Sequence, residues 1–142
     1  MKYHFKVHKE ENLWWAEGLE ISWAHAQAKS VEDLRKNMEE VLALCLEEPE
    51  DSHLILPLPN RGLRGKNVVE VQVAPTTALA MMVRRERLMH KISQRKAAEK
   101  LGIKHLSQYQ RLESGKTSNP ELGTLAKLKK IFPRISLDMA LA

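Results

Sequence analysis

A chain of 142 residues suits one ordinary domain or two small ones. With 43% hydrophobic and 29% charged residues it is not a chain disordered throughout. The net charge of +5 averages two unlike halves: residues 1–75 hold 9 basic and 13 acidic side chains, net −4, and residues 76–142 hold 14 and 5, net +9.

Such asymmetry predicts two modules with different partners. No uncharged run approaches the roughly 18 residues of a membrane span, and the opening residues lack the apolar core of a signal peptide. The single cysteine, Cys45, cannot form an internal disulfide. A cytoplasmic protein is expected.

Tyr3, Phe5 and Val7 alternate with Lys2, His4, Lys6 and His8, the period of a strand with one wet face. Lys9-Glu10-Glu11-Asn12 reads as a hairpin turn, Leu13–Glu17 as a second strand ended by Gly18, and Ser22–Ala28 as a third. Ser30 then caps a helix with Asp33 at the capping-box position, and Val31, Leu34, Met38, Val41 and Cys45 form its apolar stripe. Pro49 ends that helix. Residues 49–66, rich in proline and glycine, read as a loop, and Val68–Val73 as a last strand. The first module, residues 1–75, is therefore β-β-β-α-β, a sheet with one helix on a face.

Residues 76–142 read as helical throughout, with four to five helices, so the fold class is α+β. One helix runs from Thr76 or Thr77 to about His90, a second spans Ser93–Leu101, and a third spans about His105–Ser114. A fourth starts at Pro120 with the stripe Leu122, Leu125, Leu128 and Ile131, and Ile135–Leu141 adds a turn or two. Two short helices joined at Gly102 have the plan of a helix-turn-helix. Ala98 is small where the helices cross, and Leu101, Ile103, Tyr109 and Leu112 are apolar anchors. The second helix offers a polar face of Lys104, His105, Ser107, Gln108, Gln110 and Arg111; glutamine and arginine can each bond purine edges through two hydrogen bonds. Gln94, in a first helical turn, and Lys116 are candidate phosphate contacts.

Ser93-Gln94, Ala97–Ile103, Arg111–Lys116 and Asn119-Pro120 resemble the DNA-binding domain of phage-repressor-type (XRE/Cro) regulators. The segment between turn and second helix is one residue longer than the commonest pattern. Together with the upstream β-β-β-α-β unit, the Leu56–Pro59 segment and the valine strand, the chain resembles the HicB antitoxins of toxin–antitoxin systems. That resemblance implies a partial ribonuclease H-like first module that binds a small ribonuclease toxin, HicA, and masks its active site. It also implies a second module that binds operator DNA and represses its own operon, as a homodimer or higher homo-oligomer. A dimer implies a palindromic operator with half-sites about 34 Å apart.

The three tryptophans are the candidate toxin contacts. Trp14 and Trp15 are adjacent on a strand and must face opposite ways, so one points outward; Trp23 joins them as a candidate. Catalysis is not expected, because two-metal hydrolysis needs clustered carboxylates and the first strand offers His4, Lys6 and His8 instead. The six histidines share no ligand spacing and read as surface or turn residues, so neither metal nor cofactor is expected. The run Arg84-Arg85-Glu86-Arg87 reads either as a solvated helix face or as a phosphate contact. The alternative function is a stand-alone XRE-family regulator whose first module binds a ligand or another protein.

Overall fold

Tyr3 and Phe5 are buried while Lys2 and Lys6 stay in solvent, and this alternation forms β1 (Lys2–Glu10). In the computed structural model, which describes residues 1–142, β1 pairs antiparallel with β2 (Leu13–Gly18) and with β4 (Val68–Gln72). The short β3 (His25–Ala28) pairs with β2, giving the order β3-β2-β1-β4. The hairpin is tighter than the sequence suggests: Glu10 faces Leu13, and Glu11-Asn12 alone reverse the chain, with Glu11 at φ 31°. The third strand is shorter than expected because residues 19–24 form a closed loop. Gly18 N–H donates to Ala24 O (2.8 Å) and Ala24 N–H to Ile21 O (3.0 Å). A side chain at Gly18 would collide with the Ile21 carbonyl, so the glycine serves close backbone approach.

Helix α1 (Val31–Leu46) lies on this sheet, packing against β2, β3 and β4. Its N-terminus is capped as the sequence implies, with the Ser30 hydroxyl accepting from Asp33 N–H at 3.2 Å. The buried stripe differs from the expected one. Leu34, Met38, Leu42 and Leu46 face inward, whereas Val31 is 52% exposed and Val41 and Cys45 are only half-buried. A strict i, i+4 row spirals around the helix, so it is the row presented to a sheet crossed at an angle.

His4 is a second correction. It is 3% exposed, and its Nδ1 lies 2.7 Å from Glu20 Oε1 while the other Glu20 oxygen accepts the His4 backbone N–H. Glu20 Oε1 also accepts from Asn60 N–H, and Tyr3 Oη donates to Pro57 O at 2.7 Å. These bonds pin residues 56–60 to the sheet.

The second half is five helices: α2 (Pro75–Met89), α3 (Gln94–Leu101), α4 (Leu106–Leu112), α5 (Leu122–Ile131) and α6 (Leu137–Leu141). Pro75 starts α2 rather than ending the strand region, the first helical position where a missing N–H costs nothing. α2 is buried on nearly every side, from Ala78 to Val83 and again at Arg84, Glu86 and Arg87. It packs with α4 and α6, and α3 packs with α4 and α5. The expected stripe of α5 reduces to Leu128 as its fully buried member; Leu122 is 81% exposed.

The chain divides into two compact units, but not by a single cut near residue 75. Residues 1–46 and 56–74 form the first; residues 47–55 and 75–142 form the second. The loop 49–66, placed by sequence wholly with the first module, is thus split between them. Charge follows. The first unit holds 9 basic and 9 acidic side chains, net zero, and the second 14 basic and 9 acidic, net +5. The acidity of the first half belongs to Glu47, Glu48, Glu50 and Asp51, which fold with the second.

Candidate nucleic-acid interface

Two short helices cross at a sharp turn only if the first stops abruptly. Ser93 caps the start of α3, accepting Lys96 N–H at 3.0 Å. Gly102 ends it at φ 70°, and Ile103 N–H returns to Ala98 O at 2.9 Å, the paired closure of a left-handed helix cap. Ala97, Ala98, Leu101, Tyr109 and Leu112 are buried, and Ile103 half-buried, as the packing of one helix across another demands. α4 therefore turns one face inward and the other out.

The outward face carries the residues expected from sequence. Lys104, His105, Ser107, Gln108 and Arg111 are exposed, and their side chains make no hydrogen bond or ion pair within the chain. Lys116, beyond the helix, is 80% exposed and lies 3.9 Å from Glu47. Free donors on one helix face beside lysines are suited to base edges and phosphates.

Gln94 and Gln110 differ from that group. Gln110 Nε2 donates to Gln94 Oε1 (3.2 Å) and to Glu50 Oε2 (3.2 Å), while Gln94 Nε2 donates to Glu113 Oε2 (3.0 Å). These bonds link the N-terminus of α3 to α4 and fix both amides.

Beneath them is a buried ionic cluster that sequence reasoning missed. Arg87 Nε and Nη2 contact the two oxygens of Glu113 at 2.5 and 3.1 Å, and Tyr109 Oη donates to Glu113 Oε1 at 2.6 Å. Arg87 and Glu113 side chains are 6% and 2% exposed. Burial disfavours the Arg87 charge, but the hydrogen bond and charge of Glu113 outweigh it and raise its pKa. For Tyr109, burial and then the Glu113 carboxylate push the phenol far above its ordinary value. The only available signal was the pairing of a helical arginine with the glutamate of the Arg111–Lys116 motif.

Arg84 is buried too, so the basic run is neither a solvated face nor a phosphate contact at Arg84 or Arg87. Its guanidinium donates to Glu48 O (2.9 Å), Pro49 O and Ser52 O (3.0 Å). Burial holds its pKa below the ordinary value.

In the first unit, Trp14 and Trp15 face opposite sides of β2, as strand geometry requires. Trp15 stacks on His8 at 4.0 Å between centroids on the face away from α1, and Lys9 Nζ sits 4.9 Å over Trp14. Trp23 is 50% exposed. No three of the His, Cys, Asp and Glu side chains gather where they can hold a metal ion, and no helix is long and apolar enough to cross a membrane.

No curated protein matches the chain. Residues 83–139, from within α2 to within α6, match the helix-turn-helix family model, and this part of the chain is an XRE-like helix-turn-helix domain of the kind carried by DNA-binding transcription regulators.

Proposed function

We propose that the chain is an antitoxin of the HicB kind: its helix-turn-helix unit binds operator DNA and represses its own operon, and its first unit binds a HicA-like ribonuclease and masks the active site. The observation that carries the reading is the union in one chain of a β-β-β-α-β unit with a helix-turn-helix unit whose second helix presents free polar side chains. The β-β-β-α-β order is compatible with a partial ribonuclease H-like module acting by binding rather than catalysis. Ser107, Gln108 and Arg111 read bases; Lys104, His105 and Lys116 meet phosphates; Gln94 and Gln110 brace the helix pair. A dimer places two copies of α4 in successive major grooves.

Toxin capture falls to the first unit, with Trp15 on the open sheet face, Trp14 and the exposed Trp23 as contacts. Because that unit is electrically neutral, it does not rely on net charge to hold a basic ribonuclease. Shape and aromatic contacts carry the affinity instead. Co-expression with the adjacent reading frame tests this. A purified complex and relief of growth arrest are expected, both lost with Trp15→Ala/Trp23→Ala. No complex from a protein that still binds DNA leaves the stand-alone regulator.

A further inference from the structure

The second unit contains a piece of chain that a helix-turn-helix does not need. Residues 47–55 lie between the end of α1 and Leu56, yet fold with α2–α6. Four of their first five residues are acidic except for Pro49: Glu47, Glu48, Glu50 and Asp51. They supply four of the nine carboxylates in a unit that otherwise has the charge of a strong DNA binder.

Their attachment is specific. The buried Arg84 side chain donates to three backbone carbonyls, those of Glu48, Pro49 and Ser52, so the anchor grips the backbone and not the acidic side chains. Glu50 and Asp51 are exposed. From this anchorage Glu50 Oε2 accepts from Gln110 Nε2, and Glu47 Oε2 lies 3.9 Å from Lys116 Nζ. Lys116 is a phosphate contact of the surface assigned above to DNA, and Gln110 lies on α4 between the base-reading Gln108 and Arg111. With its other amide hydrogen held by Gln94, Gln110 has no donor left for a base or phosphate while Glu50 is in place.

We propose that residues 47–52 form an acidic strap that occupies part of the DNA-facing surface and competes with duplex phosphates for it. The proposal rests on the DNA-binding reading of α4. A carboxylate bonded to Gln110 and a phosphate approaching the same helix repel, and the repulsion is strongest at low salt, where screening is weak. The strap restrains non-specific binding, which depends on phosphate contacts, more than it restrains binding to an operator that also supplies base contacts. It sets a threshold that sequence recognition must overcome.

The test measures binding of the full chain to a 30-base-pair random-sequence duplex by fluorescence anisotropy across a salt series. Three proteins are compared: wild type; Glu47→Gln/Glu50→Gln/Asp51→Asn; and Glu32→Gln/Glu39→Gln/Glu40→Gln, which changes net charge equally on exposed positions of α1. Removing the strap charges should tighten binding about tenfold at low salt. The log–log salt dependence should steepen by about one unit, because Lys116 gains a phosphate. The α1 variant should change affinity less than about twofold. Equal gains in the two triple variants, or no gain in the strap variant while wild type binds, overturn the strap. No binding by any of the three, to this duplex or to one selected from a random library, overturns the DNA reading, and the strap with it.

Discussion

Replacing Glu113 with alanine removes the carboxylate that three side chains share, and leaves Arg87 only its bond to the Ile92 carbonyl. Arg87 loses contacts at 2.5 and 3.1 Å, Tyr109 loses the acceptor of its hydroxyl, and Gln94 loses the acceptor of its amide. Breaking a buried ion pair by deleting one partner costs about 3–5 kcal/mol, most of it the penalty of an uncompensated charge. A unit of this size has on the order of 4–12 kcal/mol of stability, at about 0.05–0.15 kcal/mol per residue. The variant should therefore lose at least about a quarter of the unit's stability. Urea unfolding resolves the effect with two probes. All three tryptophans lie in the first unit, whereas five of the six helices lie in the second. Ellipticity at 222 nm should lose about 3–5 kcal/mol, and tryptophan fluorescence should report much less. The double variant Arg87→Met/Glu113→Leu removes both charges and should recover most of the loss. A cost below about 1 kcal/mol for Glu113→Ala, or a double variant no better than the single one, would refute a desolvated ion pair at this site.

Tyr109 supplies a pH test. Its phenol is raised above 10.0 in the folded protein, so the stabilisation is complete below pH 10 and is lost as pH climbs beyond it, where the unfolded chain releases the proton. Absorbance at 295 nm should show, in the difference between wild type and Tyr109→Phe, no ionisation at pH 10 until the protein unfolds; a midpoint near 10 in the folded state contradicts the cluster. At Gly102, no atom lies within 4 Å of an added Cβ, so substitution tests backbone conformation alone. Gly102→Ala should cost about 1–2 kcal/mol in urea unfolding and Gly102→Asn less, and equal, negligible losses would deny the left-handed cap. Arg111→Ala should weaken binding to a selected operator by about 1–3 kcal/mol and relax base preference at one position. Unchanged binding in a competition assay removes Arg111 from the reading set.

Much of the fold was legible because it rests on local chemistry. Ser30, Ser93 and Gly102 act as caps where their spacing places them, since a cap satisfies backbone groups only a few residues away. The stripe of α1 was half legible: Leu34 and Met38 are common to both versions, but Leu42 and Leu46 replace Val41 and Cys45. A helix has several apolar rows at nearly equal spacing, and the crossing angle on the sheet selects among them. The exposed face of α4 was legible for the same reason as the caps. The inward residues of a short amphipathic helix define the outward ones.

The sequence by itself determined the order of the elements, their number to within one helix, the turn at Gly102 and the polar face that follows it, because periodicity and capping act within a few residues. Tertiary structure decided the fate of the charges. Arg84 and Arg87, read as surface cations, are buried and hold a backbone and a carboxylate far away in sequence. The −4 and +9 of the two halves become zero and +5 because residues 47–55 fold with the second unit. Electrostatic partnership is set by distance in space and by burial, and neither is written in the order of residues along the chain.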